Sequence, residues 1–171
     1  MKKIGIFKAM KLCKDYEKMS AEKQQEIQKK RLEEIVEYAR KNSPYYRKLY
    51  QNVPQSFSLT DLPQTDKKNL MENWNDWVCD KKLTLEEVEK FMEDTDNIGR
   101  KLKKKYLVFT TSGSTGNPLV SIYDNTANNV MGGISARRSY ARKEDLVAFI
   151  KRGGKSIGVF AFRFCSALTS V

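Results

Sequence analysis

The chain has 171 residues, of which 40% are hydrophobic and 31% charged, and this is enough for one folded domain but too little for two ordinary ones. It contains no histidine, which excludes the commonest general base and the commonest metal ligand from its chemistry. The formal net charge of +11 is compatible with binding to nucleic acid, although short lysine runs are more often solvated faces and loop ends.

Sorting signals and cysteines bear on the cellular compartment. No stretch approaches the roughly 18 uninterrupted apolar residues of a membrane span. The basic start of the chain is interrupted by Lys8 too soon for a signal peptide. Cys13, Cys79 and Cys165 have no metal-ligand spacing. We therefore expect a cytoplasmic protein with reduced thiols, no metal site of its own and no membrane partner.

The first part of the chain has the pattern of helices. The spacing of apolar residues predicts an amphipathic helix from about Ser20 to Lys41, with one apolar stripe formed by Leu32, Ile35, Val36 and Ala39. Ser43 and Pro44 are typical of an N-cap followed by the first residue of a helix, here a short aromatic one. After a linker at residues 53–63, Thr65 is expected to cap a helix that runs to Trp74.

A further helix is predicted after Thr84. The run Thr84-Leu85-Glu86-Glu87 matches a capping box, in which the threonine side chain and the glutamate side chain each satisfy a backbone amide. The core side of this helix is expected to consist of Leu85, Val88, Phe91 and Met92.

The pattern changes to strands at Tyr106. The β-branched and aromatic run 106–111 predicts one strand, and the alternating run 120–123 predicts a second. Asp124 is expected to cap a helix whose core face is formed by Ala127, Val130, Met131 and Ile134. Gly132 and Gly133 either weaken this helix or permit close packing against it. The apolar run 156–162 predicts a final strand after a turn at Gly153 and Gly154.

Together these elements predict a mixed α/β fold: a helical N-terminal arm followed by a strand–loop–strand unit and a partial layered sheet. We interpret residues 1–171 as one partial domain, with residues 1–104 as a mainly helical arm and residues 105–171 as the start of an α/β core. An incomplete sheet has open edges, so self-association is also expected.

The loop between the two strands is rich in hydroxyl groups and glycine. Glycine lets the backbone approach a ligand closely, and serine and threonine hydroxyls can donate to phosphate oxygens. On composition alone, a phosphate-binding loop and an ordinary polar hairpin turn are equally good interpretations. The candidate phosphate-binding residues are Thr111, Ser112, Gly113, Ser114, Thr115 and Gly116.

The order of residues in this loop resembles a known signature. The run Thr111-Ser112-Gly113-Ser114-Thr115-Gly116-Asn117-Pro118 resembles the phosphate-binding motif of the adenylate-forming, acyl-activating superfamily. It is similar in detail to the branch that contains phenylacetate-CoA ligase, coenzyme F390 synthetase and CapK-like proteins. Two upstream segments, at residues 39–47 and 59–70, also resemble landmarks of that branch, in the same order. The resemblance covers about residues 25–160.

The resemblance implies a two-step reaction in which ATP and magnesium are used to form an acyl-adenylate. An acyl or aryl carboxylate attacks the α-phosphate of ATP and releases pyrophosphate, after which coenzyme A or another nucleophile takes the acyl group. In this sequence, Thr111 to Gly116 would hold the β- and γ-phosphates through backbone N–H and hydroxyl groups. The chain would be the N-terminal part of such an acid–CoA ligase.

The sequence departs from the family pattern in three ways. Many members have a lysine beside the motif proline, whereas here the neighbours are Asn117 and Leu119. The family's downstream acidic residue, adenine-binding segment and C-terminal lysine would lie beyond Val171, so we expect no catalytic residue in this chain and no activity of the chain alone. From Phe162 onward the family's glycine-rich turn is missing, and we expect these last residues to be out of family register, as after a frameshift or early stop.

Two alternatives to a ligase fragment remain. One is a basic nucleic-acid-binding module that uses the lysine runs, although the sequence has no helix with clustered arginines, no zinc site and no aromatic RNA-binding signature. The other is a non-catalytic assembly domain that exposes apolar surface to a partner or to a second copy.

Overall fold

The computed structural model describes residues 3–111, 118–139 and 142–153. The fold is mixed α/β and mostly helical, with one small antiparallel sheet of two strands. None of the helices in the described part of the chain has the length and apolar composition that a bilayer crossing requires. The predicted strand at residues 156–162 and Cys165 lie outside the described residues.

Three helices form the N-terminal region: α1 (Ile6–Glu17), α2 (Ala21–Asn42) and α3 (Pro44–Leu49). Ser20 caps α2, and the predicted cap of α3 by Ser43 with proline at its first turn is confirmed. The predicted apolar stripe of α2 is only partly correct, because Val36 is buried whereas Ile35 is 64% exposed. The helix therefore packs along a narrower face than its sequence pattern indicates.

In place of the helix predicted to run to Trp74, the structure has α4 (Lys67–Glu72) and α5 (Trp74–Trp77), and α6 (Leu85–Glu93) follows where a helix was predicted after Thr84. The prediction that Thr65 caps this region was wrong, because Asp66 accepts from the Asn69 backbone N–H at 2.8 Å and α4 begins at Lys67. A carboxylate at this position also favours the positive end of the helix dipole. Asn73 separates α4 from α5, so a single helix to Trp74 does not form.

The cap of α6 follows the prediction in its first half. Thr84 accepts from the Glu87 backbone N–H at 3.3 Å, as in a capping box. The Glu87 carboxylate instead contacts Lys103 Nζ at 2.8 Å, which ties the helix to the turn before the first strand. Val88 is completely buried on the predicted core side, whereas Met92 is exposed.

The two predicted strands are confirmed as β1 (Leu107–Thr110) and β2 (Val120–Tyr123), paired antiparallel with Leu107 opposite Tyr123. Asp124 caps α7 (Asn125–Ser139) by accepting from the Ala127 backbone N–H at 2.7 Å. A further helix, α8 (Lys143–Lys151), was not predicted. Its sequence lacks a side-chain N-cap, although Glu144 and Asp145 occupy its first turn.

One apolar core joins the helices to the hairpin. Its helical side includes Trp74, Val78 and Val88, and its hairpin side includes Tyr106 and Val120. Trp74 is 1% exposed and lies at its centre. The core therefore continues across the boundary at residue 104 that separated the helical arm from the strands in the sequence.

Helix α7 packs against α1 through a glycine. A Cβ atom placed on Gly133 would lie 2.5 Å from Ala9 Cβ and 2.8 Å from the Ile6 carbonyl oxygen. The absence of a side chain at Gly133 therefore lets the two helices approach closely. Met131 and Ile134, predicted for the core face of α7, are exposed instead, because the buried face is the one that carries Gly133.

The close contact predicts opposite effects for the two neighbouring glycines. Gly133→Ala should destabilise the fold by about 1–3 kcal/mol, because the new methyl group meets the backbone of α1, which cannot move aside without shifting the helix. Urea unfolding gives the free energy directly.

Gly132→Ala is the matched control for this prediction. Its Cβ would meet only the Ile6 side chain, at 3.9 Å, and alanine is the better helix former by roughly 1 kcal/mol. It should leave the stability unchanged or raise it. Equal losses for both variants would contradict a specific role for Gly133.

Candidate phosphate-binding hairpin

In the sequence, the candidate loop connects β1 to β2, which pair as an antiparallel hairpin. Of the six candidate residues only Thr111 is described; Ser112, Gly113, Ser114, Thr115 and Gly116 lie outside the described residues. The stem that carries these residues ends at Thr111 on one side and at Leu119 on the other.

Two hydrogen bonds close the stem below the loop. The Thr111 backbone N–H donates to the Leu119 carbonyl at 3.1 Å, and the Leu119 N–H donates to Thr111 Oγ1 at 2.9 Å. The threonine hydroxyl thus replaces a backbone carbonyl as acceptor in the last rung of the ladder. Since its N–H is already used, Thr111 can offer a phosphate only its hydroxyl proton, which narrows the predicted role of this residue.

The two faces of the hairpin differ. On one face Val108 and Ile122 pack against the core. On the other face Phe109 and Tyr123 meet edge to face with ring centroids 5.1 Å apart, and Phe109 is 47% exposed. The hairpin is therefore fixed on one side and presents an aromatic pair on the other.

The chain leaves the loop at Val120, and both backbone groups of this residue are held by the helices. The Trp74 indole N–H donates to the Val120 carbonyl at 3.1 Å, in a buried position. The Val120 N–H points at Met71 Sδ at 3.4 Å. Sequence analysis missed both contacts, because they join residues 46 and 49 positions apart and no local pattern marks them.

The chain enters β1 through a tight lysine turn. Leu102 and Tyr106 exchange backbone hydrogen bonds at 2.9 and 3.0 Å, which leaves Lys103 and Lys104 in the left-handed region with φ of 49° and 57°. This conformation is uncommon for residues with a side chain and costs free energy. The turn is stabilised by Lys103 and Lys105, whose side chains contact Lys82 and Asp80 in the segment before α6.

The strongest of these contacts centres on Asp80. The Asp80 carboxylate accepts from the Tyr106 hydroxyl and from Lys105 Nζ, the latter at 3.1 Å. The Tyr106 hydrogen bond, with smaller contributions from the Lys82 backbone N–H and Lys105, lowers the pKa of Asp80 to about 2. Burial, and next the Asp80 carboxylate, raise the pKa of the Tyr106 hydroxyl. Asp80 is therefore ionised and Tyr106 neutral throughout the ordinary pH range.

The basic run at residues 100–105 has several intramolecular partners. Lys101 Nζ contacts Asn125 Oδ1 at 2.6 Å, Lys103 contacts Glu87, and Lys105 contacts Asp80. Exposed pairs of this kind are weak individually. Their positions nevertheless fit lysines at a loop end, which was the preferred interpretation of this run in the sequence.

The Asp80–Tyr106 contact predicts a pH-dependent contribution to stability. A lowered carboxylate pKa in the folded state stabilises the fold above the unfolded pKa near 3.8, and this stabilisation is lost as the pH falls from there toward about 2. Tyr106→Phe keeps the ring and removes the hydroxyl. It should lower the free energy of unfolding at pH 7 by about 1–2 kcal/mol and flatten the stability profile between pH 4 and 2.

Urea unfolding at several pH values tests this prediction, with Asp15→Asn on the exposed surface of α1 as the control. An unchanged acid slope in Tyr106→Phe would show that the tyrosine hydroxyl does not hold the Asp80 carboxylate in solution.

Comparison with protein-family models, with curated proteins and with solved structures finds no match to the chain, so the interpretation of this hairpin rests on its own residues and geometry.

Proposed function

We propose that the hairpin loop binds the β- and γ-phosphates of ATP and that the chain is the N-terminal part of an ATP-dependent acyl- or aryl-CoA ligase of the adenylate-forming type. The observation that carries the proposal is that a hydroxyl- and glycine-rich run of the sequence connects the two paired strands of a hairpin. Two hydrogen bonds close that hairpin at Thr111 and Leu119. A stem that is already closed lowers the entropy cost of binding, because less of the loop has to be ordered when its backbone N–H groups converge on an anion.

The reaction proposed for the whole enzyme is carboxylate adenylation. A carboxylate oxygen bonds to the α-phosphorus of ATP, the bond from that phosphorus to the bridging oxygen breaks, and pyrophosphate leaves with both electrons of that bond. Residues of the loop would hold the departing β- and γ-phosphates in place and balance their charge, which is the main task of a protein in phosphate displacement. The thiol of coenzyme A would then bond to the acyl carbon, the bond from that carbon to the phosphate oxygen would break, and AMP would leave. We propose no catalytic residue within this chain.

Magnesium enters this proposal as part of the substrate MgATP. No group of three or more acidic or cysteine side chains suited to a metal ion occurs among residues 3–111, 118–139 and 142–153. A metal ion bound to the nucleotide phosphates requires no such group. The only described candidate residue, Thr111, offers a hydroxyl group.

The remaining partners are proposed with the same function. We place the protein in the cytoplasm, where ATP is abundant and where the thiols of Cys13 and Cys79, both free in the structure, stay reduced. Nucleic acid is not proposed as a partner, because three lysines of the main basic run already have contacts within the chain. Self-association through the open hairpin edges remains compatible with the proposal.

An NMR titration of the isotope-labelled chain with MgATP tests the proposal. We expect saturable shifts of the Gly113 and Gly116 amides, and we expect inorganic tripolyphosphate to compete whereas AMP does not, because AMP lacks the β- and γ-phosphates. Ser114→Ala should weaken binding about tenfold, since one hydrogen bond to a charged group is worth roughly 1.5 kcal/mol or more.

Ser121→Ala is the matched control, since its hydroxyl lies on β2 and contacts the Phe109 carbonyl at 3.5 Å, away from the loop. It should leave MgATP binding unchanged. Absence of shifts in the loop at millimolar MgATP, or shifts confined to residues 100–105, would contradict the proposal.

A further inference from the structure

We infer that two exposed helix faces of opposite charge form a contact between two copies of this chain, with the lysines of α1 in one copy lying along the glutamates of α6 in the other. The basic stripe is the set of α1 lysines at positions 11, 14 and 18, and the acidic stripe is the set of α6 glutamates at positions 86, 89 and 93. This contact does not involve the hairpin and is independent of ATP binding.

The basic stripe follows from the way in which α1 packs. Ala9 is buried against Gly133 of α7, so the opposite side of α1 faces away from α7. Residues spaced by three and four positions share one side of a helix, and this outer side carries Lys11, Lys14 and Lys18. All three are exposed, and none has a hydrogen bond or ion pair within residues 3–111, 118–139 and 142–153.

The acidic stripe lies on α6, on the side away from the core. Val88 is completely buried, whereas Glu86, Glu89 and Glu93 on the opposite side are exposed. In the part of the chain that the structure describes, these three carboxylates have no hydrogen-bond or ion-pair partner. The segment at residues 84–97 contains six carboxylates and one lysine, so it is an acidic region in a chain of net charge +11.

The two stripes match in spacing as well as in sign. Within each stripe the first two charges are three residues apart and the last two are four residues apart. When two helices lie side by side and run in the same direction, residues repeated at this spacing face each other along the contact, as in the seam of a parallel coiled coil. The facing pairs are then Lys11 with Glu86, Lys14 with Glu89, and Lys18 with Glu93.

The contact is expected to be weak and sensitive to salt. Exposed ion pairs contribute little individually, and Asp15 and Lys90 place one opposite charge beside each stripe. Repulsion between copies of net charge +11 is screened beyond about 8 Å at physiological ionic strength, whereas the paired groups lie closer together than this. Association should fall when the salt is raised to about 1 M, where the screening length is about 3 Å. A contact through the open hairpin edges has no ion pairs to screen.

Charge reversal, measured by sedimentation equilibrium of the full chain, tests the contact. Reversing the basic stripe should weaken association about tenfold or more, because three attractive pairs become repulsive. A net-charge effect would have the opposite sign, because this variant has less net charge and its copies repel each other less. The substitutions are Lys11→Glu, Lys14→Glu and Lys18→Glu.

A second reversal, made on top of the first, should restore the association. It reverses the acidic stripe as well, so the two stripes again have opposite signs and the net charge returns to that of the unaltered chain. The added substitutions are Glu86→Lys, Glu89→Lys and Glu93→Lys.

A matched control reverses three exposed lysines of α2. It changes the net charge by the same amount as reversal of the basic stripe, and it should leave association unchanged or strengthen it slightly. The substitutions are Lys29→Glu, Lys30→Glu and Lys41→Glu. Circular dichroism checks that each variant keeps its helices, since glutamate is unfavourable at the C-terminal end of α1. If the basic-stripe variant unfolds, glutamine at the same three positions removes the charge and should weaken association severalfold.

Four outcomes would overturn the inference. The first is a chain that stays monomeric at about 1 mM. The second is association that reversal of the basic stripe leaves unchanged, which would place the contact elsewhere, for example at the hairpin edges. The third is failure of the double reversal to restore association, which would show that α6 is not the acceptor. The fourth is binding of a monomeric chain to phosphatidylserine vesicles that the basic-stripe variant loses, which would assign the stripe to an anionic membrane surface.

Discussion

The burial of Trp74 is the constraint on which the rest of the structure depends. An indole at 1% exposure must find an acceptor for its N–H inside the protein, and here the acceptor is a strand carbonyl 46 residues away. That hydrogen bond and the surrounding apolar contacts bring the short helices α4 to α6 and the hairpin into one core. Both parts contain very short elements, since α5 has four residues and each strand has four, and an isolated two-stranded hairpin is marginal in water.

Features set by neighbouring residues were predictable from the sequence. Ser43 and Thr84 each accept from a backbone N–H three positions ahead, as their cap patterns predicted. The two strands lie within the runs of β-branched and aromatic residues that predicted them. Features set by distant residues were not predictable. The face of α7 that is buried depends on Gly133 meeting Ala9 of α1, and a pattern of apolar residues within α7 assigned Met131 and Ile134 to that face instead. The candidate loop was found from its residue order, but its supports at Trp74 and Asp80 have no local signal.

The lysine turn before β1 shows how charge is used in this fold. Two successive residues with positive φ would ordinarily be glycine or asparagine, and here they are Lys103 and Lys104. Lys103 lies within 2.8 Å of Glu87, and it also donates to the Lys82 carbonyl at 2.6 Å. These contacts offset part of the conformational cost of the turn and bring α6 against the start of the hairpin. Some of the lysines that give the chain its large positive net charge therefore make contacts within the fold at the hairpin base. The net charge alone is weak evidence for a polyanionic partner.

The hairpin stem combines these influences. Its entry strand follows Tyr106, whose hydroxyl donates to Asp80, and its exit strand starts at Val120, whose carbonyl accepts from Trp74. At the loop end, Thr111 donates its N–H to the Leu119 carbonyl and accepts from the Leu119 N–H through its hydroxyl. Tyr106 lies at the end of the stem far from the loop and Val120 lies next to the loop, so the stem is fixed to the segment before α6 at one end and to α5 at the other. These contacts of the stem join residues on either side of the run 112–117. A run selected for small side chains and hydroxyl groups can be tolerated there, and this is the property that a phosphate-binding loop requires.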